Sequence, residues 1–214
     1  MIEIGRKPDT NEPVCFPTGK QTGIVPHIGI FGGPGCGKSF LLKKEIADFA
    51  AHSDTKTFII GAKPEYQQLA NEAHIELFDL YSNRNLTTEQ IIERYSAFPK
   101  SRLYIDQEDH VTPQMLHEIM RPARMHGCKI IYAVQSIWYN MEQYAGYAAM
   151  ICDNTGSFIL LYHSKENRAT EYKRFQLTES EDSFFSEWNR GLLITKSQRI
   201  PFITSERYAP PSWM

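Results

Sequence analysis

The stretch that most constrains this chain is Gly32-Gly33-Pro34-Gly35-Cys36-Gly37-Lys38-Ser39, a G-x-x-x-x-G-K-S octet. It lies between the apolar run His27-Ile28-Gly29-Ile30-Phe31 and the helix-like run Phe40-Leu41-Leu42-Lys43-Lys44-Glu45-Ile46. Strand, glycine-rich turn and helix start is the context of a phosphate-binding loop. Glycines let the backbone curl so that its N–H groups point at an anion, and the helix adds its positive dipole end at the same place. Lys38 would reach the β- and γ-phosphates, and the Ser39 hydroxyl would be a Mg²⁺ ligand. With glycine at about 7% of residues, four matched positions arise by chance in such a chain roughly once in a hundred or less. The octet and Phe40 behind it are therefore the expected binding residues for a nucleoside triphosphate.

Length then bounds the architecture. A chain of 214 residues suits one α/β domain with a sizeable core and leaves little room for a second. No run of eighteen apolar residues is present, and the N-terminus lacks the apolar stretch of a secretory signal. Cys15, Cys36, Cys128 and Cys152 are scattered, without C-x-x-C spacing, so reduced thiols in a cytosol are expected. A net charge of −2 gives no overall nucleic-acid signature, although a DNA motor can confine its basic residues to a pore.

Strand-like and helix-like runs alternate along the chain. Ile2–Ile4 and Val14–Phe16 flank a turn-rich segment and predict a hairpin. A helix over about 39–52 is followed by a buried strand at Thr57–Gly61, a short helix after Lys63-Pro64-Glu65-Tyr66 and an alternating strand at His74–Leu80. Thr87-Thr88-Glu89-Gln90 opens a helix with a capping-type start. Leu103-Tyr104-Ile105-Asp106 is an apolar run ending in a carboxylate, and a helix from Pro113 should kink or end at Pro122. Lys129–Gln135 and Ser157–Tyr162 read as strands, Thr178 as a helix cap, and 191–204 as a C-terminal hairpin. The expected fold is α/β, a mainly parallel sheet with helices on both faces. Ligands of such sheets bind at the carboxyl ends of the strands, where the glycine-rich loop, Asp106 and Gln135 all fall. We expect residues 1–26 to form an entry segment, 27–208 the main domain and 209–214 an extended tail.

Four features occur in fixed order: the loop; Lys63-Pro64-Glu65-Tyr66; Asp106 with Gln107-Glu108-Asp109; and Arg124-Met125-His126-Gly127 before a strand ending Val134-Gln135-Ser136. This order resembles the FtsK–HerA superfamily of P-loop, RecA-like DNA-pumping ATPases. Two branches are most similar, the genome-packaging ATPases of tailless, membrane-containing viruses and the conjugation ATPases of type IV secretion. The resemblance covers about 27–204. It implies that Asp106 is a Walker B aspartate orienting the Mg²⁺ shell, that Gln135 is a polar sensor, and that Arg124 reaches a neighbouring subunit's site as a finger. Glu65 matches an acidic residue recurring near that site. Arg121 is the next finger candidate. Trp138-Tyr139, Tyr144 and Tyr147 could stack on bases, but core or interface positions suit their spacing better.

The sequence departs from the family beside Asp106, where Gln107 stands in place of the usual glutamate. An amide cannot accept the attacking water's proton. Glu108 could substitute if the strand runs one residue further; Gln107 could position water without acting as a base; or the residue is an introduced Glu→Gln change that traps ATP. The resemblance implies an ATP-driven double-stranded DNA translocase, a homo-oligomeric ring expected to be a hexamer, with Mg²⁺ and ATP. A chain little longer than the motor core favours the viral packaging branch over the conjugative one. Its docking partner would be a capsid vertex or a membrane-channel protein, and its place the host cytoplasm or the virion. A reading of another class is a nucleotide-switch or assembly ATPase that moves no DNA.

Overall fold

Apolar residues alternate sides along the central strands, and the fold follows from where each side is covered. The computed structural model describes residues 2–17, 27–61, 64–71, 75–79, 86–106, 111–135, 141–163 and 174–204. The expected tail from residue 209 lies outside them, as do Lys63, Gln107, Glu108, Asp109, Trp138 and Tyr139. The strands are β1 (Glu3–Arg6), β2 (Pro13–Cys15), β3 (His27–Phe31), β4 (Thr57–Ile60), β5 (Ile75–Phe78), β6 (Arg102–Asp106), β7 (Lys129–Val134), β8 (Thr155–Leu161), β9 (Arg190–Thr195) and β10 (Arg199–Thr204). The helices are α1 (Lys38–His52), α2 (Pro64–Ala70), α3 (Thr88–Ser96), α4 (Pro113–Ala123), α5 (Met141–Asp153) and α6 (Glu179–Phe185).

Among the described residues, these ten strands join one sheet in the order β2-β1-β10-β9-β8-β3-β7-β6-β4-β5. From β8 to β5 every pairing is parallel, as expected when helices connect the strands. The C-terminal hairpin adds antiparallel to β8, and β1 with β2 extends that end further. Ile28, Ile59, Tyr104 and Ile131 point to one face, where Leu42 and Ile46 of α1 and Tyr66 of α2 cover them. Phe58, Leu103, Ile105, Ile130 and Tyr132 point to the other, under α3, α4 and α5. Helices thus lie on both faces of a mainly parallel sheet.

Local chemistry sets the helix ends. Thr87 and Thr178 each form a reciprocal capping box, with Gln90 and Glu181 respectively. Thr112 caps α4, whose first residue is Pro113, and α4 ends one residue beyond Pro122. α5 stands where the sequence reading draws no element. Its alanines and Gly146 give little contrast between faces, so the helical period is weak there.

His27 ties the start of β3 to its neighbours. It is 1% exposed, its Nδ1 accepts the Ile130 N–H at 3.1 Å, and it bonds to the Met120 backbone. Burial, helped by the nearby charges of Lys129 and Arg124 and opposed by the Met120 bond, lowers its pKa from 6.5 to about 4. The folded state therefore holds a neutral ring. This contribution is fully present above pH 6.5 and is lost as pH falls toward 4, on the order of 3 kcal/mol in all. We expect urea-unfolding stability to drop by roughly 2 kcal/mol more between pH 7 and 5 than in a His27→Asn variant. Parallel pH profiles for the two proteins would contradict the assignment.

Candidate functional site

Gly32 and Gly33 leave the top of β3, and Pro34-Gly35 turns the chain before α1 begins at Lys38. Gly35 and Gly37 adopt φ of 72° and 97°, left-handed values that side chains rarely take. Gly37 is the N-cap of α1 and supplies no side-chain cap, so the positive dipole end of the helix opens onto the turn with no cap side chain over it. The loop is braced from behind: the Gly33 N–H donates to the Tyr162 carbonyl, just past β8, at 2.8 Å. A Cβ on Gly32 would stand 2.3 Å from the Cys36 Sγ and 3.0 Å from the Leu161 Cβ. The buried Cys36 thiol therefore fills the inside of the turn, and burial raises its pKa. The Lys38 ammonium sits within the curl, donating to the carbonyls of Gly32 at 2.7 Å and Gly33 at 2.9 Å.

Strand order brings the other groups alongside. β7 lies between β3 and β6, with Ile30 level with Ala133 and Ala133 level with Asp106. The loop, Gln135 and Asp106 thus share one edge of three adjacent strands, spanning two strand spacings, about 10 Å. Asp106 is 4% exposed, whereas Gln135 is exposed just beyond β7. Asp106 has the same strand parity as Tyr104 and so faces the side covered by α1 and α2. There the Tyr66 hydroxyl donates to its Oδ2 at 2.7 Å.

Two further expected residues are placed by other contacts. Glu65 is exposed, and its carboxylate accepts from Lys43 of α1 at 3.2 Å, so it links α2 to α1. Arg124 is the exposed C-cap of α4, at the foot of β7, with Arg121 exposed in the last turn. The six residues of β7 separate it from the edge carrying the loop, roughly 20 Å along the strand. That exceeds an arginine side chain, so Arg124 cannot serve its own chain's loop.

Nothing local in the sequence marks a role for Tyr66. Only the adjacency of β4 to β6, a topological fact, puts the helix after β4 next to the end of β6. The Tyr162 carbonyl that braces the loop is a backbone group and leaves no mark in the sequence.

No protein-family model and no curated protein matches the chain. Solved structures do match. The chain is similar to VirB4 of Thermoanaerobacter pseudethanolicus, with a TM-score of 0.71 over 99% of this chain and 97% of that one, at 12% identity. The genome packaging NTPase B204 from Sulfolobus turreted icosahedral virus 2, in complex with AMPPCP, matches with a TM-score of 0.60 at 15% identity. That match covers 83% of this chain and 96% of B204. EccC (ATPases 2 and 3) of Thermomonospora curvata matches with a TM-score of 0.63 at 18% identity, over 98% of this chain but 41% of that one. At these identities the likeness is one of fold. The chain has the P-loop ATPase fold, and these neighbours agree with the FtsK–HerA-like resemblance of its motifs.

The loop geometry makes a direct prediction. Gly32→Ala should abolish binding of a fluorescent ATP analogue, because the new methyl displaces Cys36 and with it the turn. Cys36→Ala should keep binding within a fewfold, since it removes the thiol's bonds to the Lys38 and Cys36 backbone but leaves the glycines that shape the turn. Loss of binding in both variants would mean that the sulfur itself matters.

Proposed function

We propose that this chain is an ATP-driven double-stranded DNA translocase, working as a viral genome-packaging ATPase in a homo-oligomeric ring, most simply a hexamer. The observation that carries the reading is the division of polar and charged groups between the two ends of the central strands. Lys38, Ser39, Asp106 and Gln135 gather at one edge, while Arg124 stands exposed at the other. In a ring, that arginine of one subunit would complete the site of the next. Met125 beside it is 87% exposed, an apolar side chain that a neighbouring subunit would cover. The fold likeness to a genome packaging NTPase supports the viral assignment. A conjugation ATPase motor is the second reading, and the likeness to VirB4 speaks for it.

In this mechanism the loop amides and the α1 N-terminus hold the triphosphate, and Lys38 exchanges two backbone carbonyls for β- and γ-phosphate oxygens. Gln135 would orient the γ-phosphate or the water. Ser39 and Asp106 would hold Mg²⁺: a hydroxyl at a helix start and one buried carboxylate are the hard oxygen donors this ion takes alongside phosphate and water. When bound, the ion neutralises charge on the β- and γ-phosphates. Water attacks the γ-phosphorus in line, the bond to the β,γ-bridging oxygen breaks, and ADP and phosphate leave. Arg124 of the neighbour stabilises the charge that develops in this transfer. DNA would be gripped through its phosphates, because a motor must not depend on sequence. Among the described residues no helix is long and apolar enough to cross a membrane. We place the motor in the host cytoplasm or the virion, docked to a capsid vertex or, on the second reading, to a membrane-channel protein.

Duplex DNA should raise ATP turnover of this chain, or of its Gln107→Glu version if Gln107 leaves the chemistry slow. Turnover indifferent to DNA in both would favour a nucleotide-switch or assembly ATPase. Arg124→Ala should bind ATP normally yet hydrolyse it poorly. A mixture with Lys38→Ala chains should recover part of the rate, since an intact loop then meets an intact arginine at some interfaces. A finger contributes ~10³–10⁵-fold, so partial recovery should rise well above background. A mixture no better than its components would exclude the shared site.

A further inference from the structure

Tyr66 is a wholly buried residue of a seven-residue helix, yet its hydroxyl reaches the one carboxylate that ends β6. Its ring is seated by design of the backbone: a Cβ on Gly61, just past β4, would lie 2.9 Å from the ring's Cδ2 and Cε2. Glycine at this position lets the tyrosine pack against the strand end and aim at Asp106. A ring used for packing alone needs no hydroxyl there, and phenylalanine would fill the same space. The O–H instead donates a charge-assisted bond to a carboxylate withdrawn from water, and such a bond fixes orientation as well as charge. α2 is also tied to α1 through Lys43 and Glu65, so the tyrosine is carried by an element anchored to the phosphate-binding helix.

We propose that Tyr66 is a positioning residue that holds the Asp106 carboxylate in the orientation the Mg²⁺ shell requires. The proposal rests on the ATPase reading above. Outer partners of metal-binding groups typically contribute 10–100-fold to metal affinity, and Tyr66 supplies that partner here. Its hydroxyl does not touch nucleotide; it acts through Asp106.

The test is a Mg²⁺ titration of fluorescent ATP-analogue binding, with thermal melting alongside, on the wild-type chain and on Tyr66→Phe, Gly61→Ala, Asp106→Asn and Lys38→Ala. For Tyr66→Phe we expect an unchanged nucleotide affinity in EDTA, a melting temperature lowered by only a few degrees for the lost buried bond, and a Mg²⁺ midpoint raised about tenfold. Gly61→Ala should shift the midpoint in the same direction, because it displaces the ring while leaving both hydroxyl and carboxylate intact. Mn²⁺ bound to the nucleotide complex, followed by its paramagnetic resonance, should be weakened in parallel. A Tyr66→Phe midpoint equal to wild type, with Asp106→Asn shifted, would overturn the role of Tyr66 and leave the ATPase reading standing. A Tyr66→Phe protein that melts far lower and loses metal-free nucleotide binding would make Tyr66 a packing residue, which also overturns the proposal. Wild-type and Lys38→Ala proteins that bind nucleotide equally would overturn the ATPase reading itself.

Discussion

A buried ion pair between Glu45 and Arg102 sets the height of the phosphate-binding helix against the sheet. Glu45 is 1% exposed on the inner side of α1, and burial raises its pKa while Arg102 pulls it back. The Arg102 guanidinium lies over the Phe49 ring, 3.4 Å from its centroid, and donates to the Tyr104 hydroxyl at 3.2 Å. Lys129, at the foot of β7, feels the same surroundings; burial and Arg102 push its pKa down to about 8. Two apolar side chains could fill this space; the pair instead joins one particular residue of α1 to one of β6. Removing one partner would leave a charge buried and cost about 3–5 kcal/mol. Glu45 lies seven residues along α1 from Lys38, about 10 Å of helix. Asp106 lies four residues along β6 from Arg102, about 13 Å of strand. With helix and strand running in opposite senses, the pair brings the start of α1 level with the end of β6.

Much of the fold was legible because its signals are local. The strands β4, β6 and β7 are short apolar runs, and the caps Thr87 and Thr178 act within three residues of themselves. Pro122 ends α4 almost where the ring's lost N–H requires. α5 escaped for the opposite reason, since an alanine-rich helix whose faces differ little carries no period to read. Strand order is a further matter. No local pattern says that β7 inserts between β3 and β6, or that the C-terminal hairpin extends β8 and then captures β1.

The candidate site divides along the same line. Lys38 and Ser39 were legible because a phosphate-binding turn needs its glycines, lysine and hydroxyl contiguous in sequence. Asp106 and Gln135 were legible as polar residues ending apolar strands. Tyr66 was not, because its partner is forty residues away and the contact exists only once β4 pairs with β6. Glu65, singled out beside it, turns instead toward Lys43. Gln107 and Glu108, on which the choice of water-activating group depends, lie outside the described residues.

On the proposed reading, the length of β7 separates binding from turnover. The groups that hold phosphate come from one chain and are braced by its own backbone, through Gly33 and Tyr162. The arginine that would stabilise the departing phosphoryl group stands at the other end of β7, in a loop that turns through Gly127 at a φ of 68°. A lone chain can then load nucleotide but lacks the cation for efficient transfer. The same strand that carries Gln135 at one end carries Arg124 at its approach to the other, with His27 bonding to its second residue, Ile130. A rigid strand with one end facing its own nucleotide and the other facing the neighbour's is a direct mechanical link between successive sites. Coupling around a ring then needs no long-range conformational change within the subunit, only a rigid-body shift that moves the two ends of β7 together.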